Sequence, residues 1–208
     1  MKNILLVLLI GFALSLCNLS ERLKKAHSSS GSSSNSKSAS GKTAERGQPT
    51  ADQTAALAGG QQIKWDRQGM AWTVPPKWTE QTNESKTYVW RSPGGSDAAS
   101  LIVSISPMDE SFPVEQSIQS WYDQAESRAK NGEVDEVKWV EIDGLKGVQF
   151  REANPEKPDE SRRLQWMAYR KYLGQVQFIN LMLASEGKAF DKHKNEMYGI
   201  LYSTKIAH

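Results

Sequence analysis

The sequence predicts an α+β fold, an antiparallel β-sheet flanked by helices in an α/β/α sandwich. Three observations lead there. Several successive runs alternate apolar and polar residues with period two and are bounded by turn residues. Two other stretches repeat their apolar residues every three or four positions, one among the strands and one after the last of them, which is not the strict alternation of a parallel βαβ sheet. Finally, the run at 175–183 is apolar on both faces. Val176 and Phe178 lie on one face and Ile179, Leu181 and Leu183 on the other, so that strand needs cover on both sides.

The chain begins with Lys2 and an apolar run from Ile4 to Leu16, interrupted only by Gly11 and Ser15. That is the length of a signal-peptide core and short of the ~20 residues that cross a bilayer as a helix. Residues 1–17 are therefore read as an export signal. Two processing routes remain open. Ala13-Leu14-Ser15 has the small-residue spacing of an ordinary signal peptidase site, which would release a soluble secreted module. Leu14-Ser15-Leu16-Cys17 resembles the bacterial lipobox, with Leu16 standing where that pattern has Gly, Ala or Ser. The resemblance implies diacylation of the Cys17 thiol and a membrane anchor on the extracytoplasmic side, in the periplasm or at the cell surface. A lone cysteine in an exported chain excludes an internal disulfide and a thiolate zinc cage, and favours a use such as lipid attachment. Retention of the uncleaved run as an anchor is the third route.

Residues 18–60 are read as a disordered tether. Leu19, Leu23 and Ala26 would share a face of a short helix beside Arg22, Lys24 and Lys25, but from residue 28 to 60 there is no aromatic side chain and the composition is Ser, Gly, Ala and small polar residues. Such a segment buries too little to offset chain entropy, and a coil of ~33 residues spans roughly 30 Å. The charge divides at the same place. The formal total is +2, with an excess of basic residues before position 60 and a slight excess of acidic ones after it, too balanced to require a polyanionic partner.

The folded domain is expected over residues 61–208. Strands are predicted at 63–66, 70–75, 86–91 and 99–107, the second ended by Pro75-Pro76 and the third by the turn at 92–95. Val114, Ile118, Trp121, Tyr122, Ala125 and Ala129 mark an amphipathic helix that Asn131-Gly132 ends. A hairpin follows about Asp143-Gly144, then a polar loop at 154–161, two long strands joined near Leu173-Gly174, and a C-terminal helix carrying Phe190, Met197, Ile200 and Leu201.

The order GMAWTVPPKWTE, ASLIVSISPM, a helix, VEIDGLKGVQFRE, AYRKYLGQVQFINL and GKAFDKHKNEMYGILYSTKI resembles the PsbP-like fold. That group takes in the extrinsic photosystem II subunit, its lipid-anchored relatives and the DcrB-like and LpqN-like bacterial lipoproteins. The resemblance covers residues 63–206, with Lys77 where the family commonly has Gly. It implies a non-enzymatic accessory or binding role in the cell envelope. The implied partners are the membrane, through the N-terminal lipid, and an envelope protein or small ligand.

Chemistry is sparse. His193 is the only histidine within the domain before the last residue, and beside an apolar helix face it reads as hydrogen-bonded rather than catalytic. Asp191, His193 and Glu196 match no metal-ligand spacing, and Gly94-Gly95 lacks the Lys-Ser/Thr of a phosphate loop. No catalytic residue, metal or cofactor is predicted. Scattered carboxylates leave a hydrolase as the alternative from another class. In RRLQWMAYRKY (162–172) alternate residues part company across the strand, so the cations fall at its ends as solvated groups, which argues against nucleic acid. Trp72, Trp90, Trp121, Trp139 and Trp166 fall at core phases. Trp78, after the two prolines, is read as the exposed aromatic and a possible partner contact.

Overall fold

The computed structural model describes residues 43–207, so Cys17 and the signal and tether expectations for residues 1–42 lie outside the described residues. A strap comes first, with strand β1 (Glu45–Arg46) followed by helix α1 (Ala51–Ala56). Strands β2 (Gln61–Trp65), β3 (Met70–Val74), β4 (Thr79–Asn83), β5 (Thr87–Arg91) and β6 (Ser100–Met108) precede helix α2 (Val114–Lys130). Then come β7 (Val134–Ile142), β8 (Leu145–Glu152), β9 (Ser161–Tyr172), β10 (Gln175–Glu186), helix α3 (Gly187–Tyr202) and β11 (Lys205–Ile206).

Eight strands form the main sheet in the order β1-β7-β8-β9-β10-β6-β5-β4, and β11-β3-β2 form a second sheet. Every pairing is antiparallel except β1 with β7, which makes the main sheet mixed. The strand period of two sorts the core. Leu164, Trp166 and Ala168 of β9 join Ile179, Leu181 and Leu183 of β10 against Phe190, Met197, Ile200 and Leu201 of α3 and the aromatic side chains of the small sheet. The opposite face carries Phe150, Met167 and Phe178 against Trp121, Ala125 and Ala129 of α2, with Tyr122, Trp139 and Val148 beside them. The expected cover on both faces of β10 is thus supplied by α2 on one side, and by α3 with the small sheet on the other.

Local signals behave as the backbone requires. Asp143 and Gly144 both have positive φ (49° and 83°), as do Leu173 and Gly174 (50° and 78°), which gives the left-handed backbone of tight two-residue hairpins. Gly147 permits the closest approach in the main sheet. A β-carbon there would lie 2.5 Å from the carbonyl oxygen of Met167 and 2.6 Å from Trp166 Nε1.

Two expectations change. The tether does not reach residue 60: Thr50 and Gln53 close a capping box, with Thr50 N donating to Gln53 Oε1 (3.0 Å) and Gln53 N to Thr50 Oγ1 (3.3 Å), and start α1. Leu57, just after it, packs on the core, and Gly199 of α3 brings that helix up against the Gln53 carbonyl and Leu57. Small residues here lower the apolar density that marks a folded segment, yet they allow close packing. The second change is Trp78, which is 2% exposed and belongs to the core. Lys77 takes φ 70° and turns the chain so that the indole swings under the sheet rather than outward, so Trp78 is no surface contact. Among the described residues no helix is long and apolar enough to cross a membrane.

Candidate functional site: a polar cleft under the N-terminal strap

A polar concavity lies where the strap crosses the edge of the main sheet. Its walls are the strap from Glu45 to Gln53, the α3-facing residues of β7 and β8, and one side of α3; its volume is about 350 Å³. The strap is held down by the β1–β7 pairing and by Gly47 N, which donates to the Glu141 carbonyl at 2.8 Å. Gly47 has no room to be anything else without neighbours shifting, since a β-carbon would meet Tyr202 Cδ1 at 3.0 Å and Val140 and Ile142 at 3.1 Å.

Glu136 is the hub. Its Oε1 accepts from Gln149 Nε2 (2.6 Å) and lies 3.4 Å from Lys138 Nζ; its Oε2 accepts from Tyr198 Oη (2.9 Å) and lies 3.2 Å from Arg151 Nη1. Arg151 also donates to Tyr198 Oη (2.9 Å) and, through Nε, to Asp135 Oδ1 (2.6 Å). Tyr202 Oη donates to Gln149 Oε1 at 3.0 Å, and Lys138 reaches Glu45 at 3.5 Å. The residues meet because pairing sets Glu136 opposite Arg151 and Lys138 opposite Gln149, while Lys194, Tyr198 and Tyr202 recur every four residues along α3. Burial would lower the Lys138 ammonium, but Tyr202, Glu136 and Glu45 outweigh it and the group is raised overall. Arg151 is raised in the same way by Asp135, Tyr198 and Glu136 against its burial. Burial first, with Glu136 next, pushes the Tyr198 hydroxyl well above the ordinary phenol range; burial also raises Tyr202.

None of these residues stood out in the sequence as a site. The one available signal was the Lys194-x₃-Tyr198-x₃-Tyr202 stripe, polar tips on a helix otherwise read by its apolar face. The residues singled out earlier go elsewhere. His193 is buried, with Nδ1 2.8 Å from Glu196 Oε2 and Nε2 2.9 Å from the Asp97 carbonyl, so both nitrogens are engaged in holding α3 to the turn before β6. Asp191 pairs with Arg162 at 3.4 Å, and no group of three or more metal-ligating side chains occurs among the described residues. The basic ends of β9 are not all solvated as expected. Arg162 is buried against Asp135 (2.7 Å) and over the Phe190 ring, and Arg170 is buried among carbonyl groups. Trp72, Trp139 and Trp166 are buried, and Trp90 and Trp121 partly so, as their phases predict.

No protein-family model matches the sequence, and no curated protein matches it. Solved structures do. LpqN of Mycobacterium tuberculosis, whose structure is described as that of a protein involved in cell envelope biogenesis, is 12% identical with a TM-score of 0.53, over 72% of this chain and 86% of that one. The cyanobacterial PsbP (CyanoP) of Synechocystis is 13% identical with a TM-score of 0.45, over 71% of this chain and 92% of that one. The LpqN likeness matches the layout read from the sequence, and the chain has the PsbP-like fold.

Proposed function

We propose that this chain is an exported accessory protein of the cell envelope, held at a membrane by lipid on Cys17, that binds a partner and performs no chemistry of its own. The observation that carries the binding reading is the polar cleft, walled on one side by the strap that leads toward Cys17 in the chain. The setting draws support from the apolar leader ending at Cys17, and from the fold shared with LpqN, an envelope biogenesis protein. The non-enzymatic reading draws support from how the reactive groups are spent. Both carboxylates of the cleft, Glu45 and Glu136, are engaged by Lys138, and His193 has no nitrogen left for a nucleophile.

Metabolic labelling with a fatty acid tests the anchor. The full chain is expected to take up label and the Cys17→Ser variant to lose it. Absence of label on both would overturn the lipid-anchored reading and leave the soluble secreted module and the uncleaved anchor.

A further inference from the structure

On the floor of the cleft the side-chain acceptors of Glu136 and Gln149 are engaged, while several cationic donors are not. Each oxygen of Glu136 already faces two donors, and the Gln149 oxygen accepts from Tyr202. Both oxygens of neighbouring Asp135 are taken, by Arg151 and Arg162. On the donor side, Arg151 uses Nε and Nη1, and among the described residues its Nη2 has no partner. Lys194 is half-buried on α3 and Arg46 stands on the strap, and neither side chain has an ion-pair or hydrogen-bond partner among the described residues.

The Lys194 stem lies along α3 beside Tyr198, and its ammonium is one of the lining's donors without a protein partner among the described residues. The lining holds four cations, Arg46, Lys138, Arg151 and Lys194, against two carboxylates, Glu45 and Glu136. Lys138 is paired with Glu45 and Glu136, and Arg151 with Glu136 and neighbouring Asp135, so the cations of the concavity left without a carboxylate are Arg46 and Lys194, where the walls focus the field. A volume of about 350 Å³ lies at the small end of ligand sites, which limits the occupant to a few carbons or to the head of a larger molecule.

We infer that the cleft binds a small dianionic oxyanion, a phosphomonoester or a short dicarboxylate, between Lys194 and Arg151 with Arg46 closing from the strap. This rests on the reading of the chain as a binding protein and names the class of its ligand. The oxygens would take the free guanidinium and ammonium N–H groups as charge-assisted bonds, and the Glu136 network would hold Arg151 and Lys138 in place.

The test is calorimetric titration of the full chain with glycerol 3-phosphate and with succinate, glycerol serving as the neutral control. Saturable binding of at least one anion is expected, weakening as salt rises. K194Q and R46Q should each weaken it roughly tenfold, with the urea midpoint of unfolding unchanged. Vesicles containing phosphatidic acid, which carries a phosphomonoester head, distinguish a lipid source from a free one. Vesicle binding lost in K194Q keeps the site and makes the headgroup its occupant. The proposal is overturned if no probe binds, if glycerol binds as well as the anions, or if binding of anions and vesicles is indifferent to the K194Q/R46Q double variant. Failure of the Cys17 label leaves this result untouched and removes only the anchor.

Discussion

Arg170 Nη2 donates to the carbonyl oxygen of Gln68 at 2.7 Å, joining residues 102 positions apart. The same guanidinium donates through Nη1 to the Ala207 carbonyl (3.2 Å) and through Nε to Gln177 Oε1 (3.0 Å), and it lies 4.1 Å from the centre of the Tyr172 ring. One buried side chain of the main sheet therefore binds both the turn after β2 and the residue that follows β11. Burial lowers its proton affinity, and the hydrogen-bonded carbonyls compensate the buried charge in place of a carboxylate.

Arg170→Ala is expected to destabilise the domain by about 3 kcal/mol, because the buried Gln177 and the partly buried carbonyl bonds to Gln68 and Ala207 lose their donor together. Arg170→Lys should recover less than half, since an ammonium cannot reproduce the planar fork. Urea unfolding followed by tryptophan fluorescence checks both, and a Lys variant of wild-type stability would refute the fork as the reason.

Gly147→Ala should cost about 3 kcal/mol. The added methyl would collide with the Met167 carbonyl and the Trp166 indole, whose Nε1 donates to the Val140 carbonyl at 3.2 Å, so the β7–β8–β9 pairing must open. The expected signature is a lower thermal midpoint with faster amide exchange in β8. Unchanged exchange there would mean that the strand shifts without loss.

Trp78→Ala is expected to cost about 3–5 kcal/mol and Trp78→Phe much less. The indole is in the core, and its Nε1 has no hydrogen-bond partner, so the Phe variant gives up ring volume but no bond. If Trp78→Ala left the urea midpoint in place, the residue would not be the core anchor that its burial makes it.

Alkaline pH should unfold the domain in a defined window. Burial pushes Tyr88 from about 10 to about 12, and Tyr198 and Tyr202 are raised too. A folded-state value above the unfolded one means that the native state keeps protons the unfolded chain releases. The stabilisation is therefore complete below about pH 10 and is lost as pH climbs towards 12. Phenolate absorbance from these residues should rise together with loss of near-ultraviolet circular dichroism. Ionisation of all tyrosines with an intact dichroism spectrum would contradict this.

Much of the fold was legible because burial imposes a period. The alternation in β6 and the three-and-four spacing of α2 and α3 follow from one face being dry, β10 is apolar on both faces because both are covered, and the Asp143-Gly144 turn shows in its own residue types. What the sequence concealed had no dry face to reveal it. Strand β4 (TEQTN) is mostly exposed at the edge of the sheet and reads as a loop, and α1 has no fully buried residue, so only its Thr50–Gln53 cap marked it. The cleft was illegible for another reason. Glu136 and Tyr198 are 62 residues apart, and their meeting is decided by strand order and by how α3 lies across the sheet. The exposure assigned to Trp78 came from its place after the strand-ending Pro75-Pro76, where sequence carries no sign of the left-handed backbone at Lys77 that precedes the buried indole.

The parallel pairing of β1 with β7 has a mechanical consequence. A pull from the N-terminal side reaches Glu45 and Arg46 before any other part of the domain, and there it meets a two-residue ladder rather than the twelve-residue strands β9 and β10. Under a pull from that side the two-residue β1 ladder is loaded before the central strands, which stay intact while it peels. Since it also forms a wall of the cleft, stretching the chain would spill whatever the cleft holds.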